Sequence, residues 1–474
     1  MKRRALAKRL HYADGLTVIA FAMLTGAATG VIVTLYNILV NYGETVSVYA
    51  YGEIFTRPYF IPLLVVALAL GAILAGIAIR FVPMVRGSGI PQTEGAARGL
   101  FRLHWFSTMC TMFAVSLAAV FLGLCAGSEG PSVLMGGCAG EGVGTLSKRE
   151  RADERILVSA GASAGLAVAF NAPLTGLLFS VEEASKKFTP RLLVATLCSV
   201  VTGLAVRGGL RALISLADPE ILPYAPTFSA FDLTTLGTFK EIMIAAGLAI
   251  GIAAAAALAG VLFYHSIFIM RSLLGRITLF GGAGKLFVPF LLAGALGMLS
   301  PSIMTGGHSF IESVGTYGGT SDMDVSLRFG AALSVTLVVI FAARFLASAC
   351  NMGAGVPCGA FVPMLAIGAG FGAILSFVLT TAGLGAEYSD LIVMLSIASF
   401  FSAVVKAPIS SAVMVFELTG SYNFALLLPA VIAVTVAFIV SSALHTRPVY
   451  DSLLVSFVLP SKQIQLPAAP SETE

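Results

Sequence analysis

Residues 126–137 read A-G-S-E-G-P-S-V-L-M-G-G, with an apolar segment on either side, 113–124 before and 133–144 after. How this stretch is read decides the fold. Glu129 sits at membrane depth, flanked by Gly127 and Gly130 and followed by Pro131. A charge in hydrocarbon costs roughly 2.5–3.5 kcal/mol on insertion scales, so an ionisable group there points to function. Pro131 suits a first helical turn, where its missing N–H would have no partner anyway. The stretch therefore predicts a helix that begins inside the membrane. Its free backbone N–H groups and positive dipole end would face an anion or the Glu129 carboxylate. The plainer alternative is a kinked helix with a buried, hydrogen-bonded glutamate, since Gly and Pro are frequent in membrane helices.

The surrounding chain supports the first reading. Of 474 residues, 57% are hydrophobic and only 11% charged, whereas a soluble domain carries about 25% charged residues. Apolar stretches recur at 16–39, 59–79, 106–124, 192–210, 242–268, 286–298, 331–346, 360–379, 391–405 and 424–444. Several approach the ~20 residues needed to span a bilayer, and several are clearly shorter. Fifty glycines and twenty prolines interrupt them. Irregular backbone at membrane depth survives only where protein buries it or where it lines a polar cavity. An all-α, polytopic membrane protein of short, broken helices is expected, and such a protein is a transporter or channel rather than a simple bundle.

The net charge of +4 carries no signal for nucleic acid. Lys2, Arg3, Arg4, Lys8 and Arg9 place the N-terminus in the cytoplasm. The apolar run that follows is too long for a signal peptide, and no small-residue cleavage site precedes the next span. The six cysteines lie mostly in apolar segments and form no C-x-x-C pair, so they read as small buried hydrophobes. No cofactor or metal is expected.

In order, the chain divides into a basic lead-in (1–14), a first transmembrane repeat (15–215), a Pro-containing linker (216–240), a second repeat (241–455) and a polar tail (456–474). The repeat is visible directly. An offset of 235 lays 157–182 on 392–417, with Ala172-Pro173-Leu174-Thr175 on Ala407-Pro408-Ile409-Ser410 and Glu182 on Glu417. The break at 127–137 has a looser partner in 353–363. Two homologous halves with broken helices mark a site at their interface near the midplane.

Three breaks are candidates to converge: 87–91, 127–131 and 355–363. Arg447-Pro448-Val449-Tyr450-Asp451 is a fourth. Together they offer backbone N–H groups, the hydroxyls of Ser88 and Tyr450, and one carboxylate. No Lys or Arg lies within 127–137 or 353–363, which suits a small anion that must bind and then leave. Glu182 and Glu417 read as structural hydrogen-bonding groups. Glu183 is present in one half only, with Leu418 opposite it. Glu94 reads as a satisfied structural carboxylate. Gly161-Ala162-Ser163-Ala164-Gly165 matches the G-x-S-x-G nucleophile pattern but lies in a helical apolar run. The rival from another class is an intramembrane serine hydrolase using Ser163, which needs a partner base that the five histidines do not evidently offer.

These residues resemble the CLC family of chloride channels and chloride/proton antiporters, over residues 15–455. Gly87-Ser88-Gly89-Ile90-Pro91 resembles the family's G-S-G-I-P. Gly127-Ser128-Glu129-Gly130-Pro131 resembles G-K/R-E-G-P, and Gly359-Ala360-Phe361-Val362-Pro363 resembles G-I-F-x-P. The resemblance implies two inverted halves and a homodimer with one pathway per subunit. It implies that Ser88, Tyr450 and the amides of Ala360 and Phe361 hold the central anion. Glu129 would be the gating glutamate, and Glu183 would match the inner proton-transfer glutamate of the antiporter branch. Two departures stand out: Ser128 replaces the usual basic residue and Ala360 the usual isoleucine. Only 24 residues follow Tyr450, so the C-terminal CBS pair of many eukaryotic members is not expected. The function expected is exchange of chloride for protons across a bacterial inner membrane, with a passive voltage- or pH-gated chloride channel as the alternative within the family.

Overall fold

The computed structural model describes residues 2–216, 228, 231, 238–315, 326–328, 330–420 and 424–457, with side chains from residue 15 apart from 279–282, 424 and 456–457. Most of the expected linker and nearly all of the expected tail lie outside the described residues. The helices are α1 Lys2–Thr56, α2 Ile61–Phe81, α3 Ile90–Arg98, α4 Trp105–Phe121, α5 Glu129–Leu146, α6 Arg151–Phe170, α7 Pro173–Phe179 and α8 Pro190–Ser215. They continue with α9 Phe239–Gly275, α10 Phe287–Gly297, α11 His308–Gly315, α12 Leu333–Ala354, α13 Phe361–Thr381, α14 Ser389–Val405, α15 Pro408–Thr419, α16 Leu427–Ala443 and α17 Val449–Phe457. Each of the ten apolar stretches falls on a helix. Among the described residues, seven helices are long and apolar enough to cross a membrane. The basic lead-in is not a separate segment, because α1 runs unbroken from Lys2.

Long and short helices recur in the same order, α1–α8 and then α9–α16, with α17 beyond the second set. Local chemistry sets the breaks. The stretch from 156 to 183 divides because Asn171 adopts the left-handed conformation (φ 58°) at the end of α6, and Pro173 then opens α7. Asn tolerates that conformation, and Ala172, immediately before the proline, is steered out of the helix (φ −121°, ψ 86°). Lys406, at the equivalent position, does the same (φ 68°) before Pro408 opens α15.

The halves are locked by a crossed pair of glutamates. Glu417 accepts from the N–H groups of Leu174 (2.7 Å) and Thr175 (2.6 Å) at the start of α7. Glu182 accepts from Ile409 (2.9 Å) and Ser410 (2.6 Å) at the start of α15. Each carboxylate thus satisfies two orphan N–H groups at the positive end of the other half's helix. The exchange is self-complementary, as a two-fold relation requires. The two helices run antiparallel, as equivalent helices of inverted halves do.

Close helix crossings use glycine. A Cβ at Gly136 would strike the Gly161 carbonyl, and one at Gly165 the Ser132 carbonyl. The G-x-S-x-G run is therefore the face of α6 that packs on α5. Ser163 sits fully buried in mid-helix with no hydrogen-bond partner for its hydroxyl, which removes the hydrolase reading.

Replacing either Glu182 or Glu417 by Ala is expected to cost about 1–2 kcal/mol, by loss of a charged helix cap. The two variants should lower the melting temperature of the purified protein by similar amounts. A large asymmetry would show that the two caps are not equivalent.

Candidate ion-transport site

The breaks at 87–91, 127–131 and 355–363 meet. Gly127 N–H donates to the Gly359 carbonyl (2.9 Å), and Gly359 N–H donates to the Gly127 carbonyl (3.0 Å). Gly87 N–H donates to the Gly355 carbonyl (3.2 Å). A Cβ at Gly130 would strike the Ser88 carbonyl, and one at Gly359 the Gly127 carbonyl. Gly89, at φ 90°, turns the chain directly into α3, where Ile90 and Pro91 form its first turn.

The N-termini of α3, α5 and α13 are therefore gathered in one place. No side chain caps any of them. Their first N–H groups and positive dipole ends are left for a ligand. Ser88, Gly359 and Ala360 line a common small cavity with Cys125, Ser348, Asn351 and Cys358. Ala360 and Phe361 belong to the same buried cluster as Ile90 and Tyr450. The hydroxyls of Ser88 and Tyr450 are both buried without a hydrogen-bond partner. Among the described residues no Lys or Arg lines the cavity.

Glu129 is 1% exposed. Its Oε1 accepts from the Ser128 hydroxyl (2.9 Å) and faces His308 Nε2 at 3.2 Å. Its Oε2 has no partner. A Cβ at Gly127 would strike Oε2, so the carboxylate lies back over the glycine that begins its own helix. His308 opens α11 between the rings of Phe170 and Phe228. Sequence reading does not single out His308 as a site residue. The available signal was that His308 follows Gly306-Gly307, another Gly-rich break opening a short helix. The loop before it is fixed by Arg344, which is fully buried and donates to the carbonyls of Ser302 (2.6 Å) and Met304 (2.9 Å). Glu44 on α1 accepts from Gly306 N–H (3.1 Å).

Glu183 lies elsewhere, in a wide turn, Ser180–Ala184, that follows α7. It is 1% exposed, its Oε1 has no hydrogen-bond partner, and Lys186 Nζ lies 3.9 Å from that oxygen. Lys186 also pairs with Glu94 (2.8 Å) and Asp451 (2.6 Å), and Arg98 pairs with Glu94 and with Asp451 (2.7 Å). Asp451 adjoins Tyr450. The cluster therefore ties the tyrosine, the end of α3 and the Glu183 turn to one another. Glu94 is only partly the satisfied carboxylate expected, because its Oε2 is buried without a partner.

A bundle of broken apolar helices whose N-termini converge on a buried carboxylate defines an ion-transport protein of the membrane. Residues 70–442 match the family described as voltage gated chloride channel, and the chain belongs to that family. It is 30% identical over 449 residues to the H(+)/Cl(-) exchange transporter ClcA of Vibrio cholerae, covering 92% of this chain and 89% of that one. It is 28% identical to the protein of the same name from Citrobacter koseri, covering 96% and 92%. Among solved structures it resembles a slow cyanobacterial Cl-/H+ antiporter with a TM-score of 0.76 and 24% identity, covering 94% of this chain and 99% of the other. A CLC-type fluoride/proton antiporter shares the fold at a TM-score of 0.68 and 16% identity, covering 91% and 97%.

Gly359→Ala tests the convergence. Its Cβ has backbone on one side and Pro131 on the other, with no flexible side chain to yield. The variant is expected to lose chloride binding, measured calorimetrically on folded protein, while Gly251→Ala, which meets nothing within 4 Å, should bind as the parent does.

Proposed function

We propose that this protein is a secondary active antiporter that exchanges chloride for protons. The observation that carries the reading is the Glu129 carboxylate, buried at the meeting point of three uncapped helix N-termini. A deprotonated carboxylate there is itself an anion and competes with chloride for the same dipoles. Protonation neutralises it and releases it, so each ion controls access for the other. Ser88, Tyr450 and the amides of Ala360 and Phe361 would hold the central chloride. Glu183 would hand protons to the opposite side without touching the anion. The names of the curated relatives support exchange over passive conduction, as does the buried acid at position 183. We further propose a homodimer in a bacterial inner membrane with the N-terminus cytoplasmic, and two repeats bounded near 15–215 and 241–455.

His308 takes the place of the cation missing at Ser128. When protonated it pairs with deprotonated Glu129 and holds it in the anion position. The other charges facing it are Glu44 on α1, Glu312 on its own helix, and Arg344 behind the 302–306 loop.

Parallel chloride and proton fluxes in liposomes separate the two glutamates. Glu129→Gln should conduct chloride without pH dependence and move no protons. Glu183→Gln should also stop proton movement, while its chloride flux keeps some dependence on pH through intact Glu129. A folded Glu183→Gln protein that pumps protons normally would return the reading to a passive channel.

The same assay tests His308. His308→Gln keeps a polar group beside Glu129 but removes the charge a protonated imidazole would bring, so exchange should persist with an altered pH profile. An unchanged pH profile would make His308 a packing residue.

A further inference from the structure

We propose a second anion site, for a phosphate-bearing ligand, where α3 ends and α6 and α8 begin. A cavity of about 130 Å³ lies there, lined by Arg98, Arg155, Ser159, Ser185, Lys187 and Thr189. None of these residues belongs to the cavity at Ser88 and Ala360.

The ion pairs on this face leave out Arg155 and Lys187. Arg98 and Lys186 are taken up by Glu94 and Asp451. Arg102 and Arg151 pair with Glu154, and Arg151 also with Glu141. Arg149 and Arg191 pair with Asp153. Among the described residues, no carboxylate pairs with Arg155 or Lys187. Arg155 Nε is buried without any hydrogen-bond partner. One helical turn on, Ser159 is 1% exposed and its Oγ is likewise unpaired. Leaving such donors buried and unmet costs about 1–3 kcal/mol each, so their presence along one cavity points to a ligand that accepts from both.

The geometry also selects the ligand's chemistry. Thr189 caps α8, accepting from Leu192 N–H (3.3 Å), and the positive end of that 26-residue helix faces the cavity. A guanidinium fork, an ammonium, hydroxyls and a helix N-terminus together suit an oxyanion with several acceptor oxygens rather than a monatomic ion. Arg149, on the same face, stacks over Phe21 (5.5 Å), near the start of the apolar span Gly15–Thr56 of α1. The pocket is therefore on the side of the basic N-terminal residues, which the positive-inside rule makes cytoplasmic. Phosphate reaches it there from two sources, free in solution or carried on an anionic lipid headgroup.

The full chain in neutral detergent and chloride-free gluconate buffer is titrated with inorganic phosphate or with short-chain phosphatidic acid. Phosphatidylcholine of the same chain length serves as the control, and the melting temperature is followed. A saturable rise with at least one phosphate probe is expected, because a ligand of the folded state stabilises it. Saturation by phosphate itself assigns a free anion; saturation by phosphatidic acid alone assigns a headgroup. Arg155→Gln and Lys187→Gln should each weaken the apparent affinity about tenfold. Ser88→Ala should leave it unchanged. Should Arg155→Gln not fold, the exposed Lys187 carries the test. The proposal is overturned if neither probe gives a saturable shift, if folded charge variants respond as the parent does, or if Ser88→Ala abolishes the response.

Discussion

The two hydrogen bonds between Gly127 and Gly359 are the constraint on which the site depends. Backbone outside a helix has no water to bond to at membrane depth, so each break must find a partner in the protein. Here each break satisfies the other. A Cβ at Gly359 would strike the Gly127 backbone, and one at Gly127 would strike the Glu129 carboxylate and crowd Pro363, which explains glycine at both positions. It also sets α5 and α13 side by side with their first N–H groups uncapped. The positive potential at the centre thus comes from fixed dipoles. A dipole well holds an anion less tightly than a buried ammonium or guanidinium, and transport needs release as much as binding.

The cations near the site are engaged elsewhere. Arg344 is fully buried close by, yet it spends its donors on the carbonyls of Ser302 and Met304. Arg98 and Lys186 are matched by Glu94 and Asp451. Glu129 is left with one hydroxyl, from Ser128, and one imidazole, from His308. Ser128 brings no charge to this carboxylate, so the one cation facing it among the described residues is an imidazole that is charged only when protonated. On the proposed mechanism, access to a Glu129 gate would respond to the acidity on the His308 side.

Much of this was legible in the residues. Apolar length alone located ten of the described helices, missing α5 and α6, and the 235-residue offset paired Glu182 with Glu417, whose bonds cross between the halves. Composition located the converging breaks, because only Gly and Pro chemistry permits such backbone. The short helices α3 and α11 were less visible, since eight or nine residues show too little periodicity to stand out. His308 was invisible as a site residue for a different reason. It lies 179 positions from Glu129, and nothing local to either residue reports their contact. Tyr450 was offered by the Pro-containing break at 447–451, and the family resemblance gave it an anion-binding role. Arg155 was hidden because a charged connector looks uniformly solvated until its ion pairs are counted one by one.

Five of the buried and half-buried glutamates fall into two kinds, and the division follows from hydrogen bonding. Glu182 and Glu417 each spend both carboxylate oxygens on two backbone N–H groups, an arrangement that is complete and leaves nothing to gain by moving. Glu129, Glu183 and Glu94 each keep one buried oxygen without a partner. That incompleteness costs about 1–3 kcal/mol per group in a static structure. It is recovered only when a proton converts the oxygen to a donor or when the side chain moves aside for another anion. The saturated glutamates hold the two halves together, and the unsaturated ones include both residues to which the proposed mechanism assigns proton movement, Glu129 and Glu183. The same sequence motif at 182–183, two adjacent glutamates, supplies one of each kind, because Glu182 reaches the open end of α15 while Glu183, one residue on, points into the protein toward Lys186.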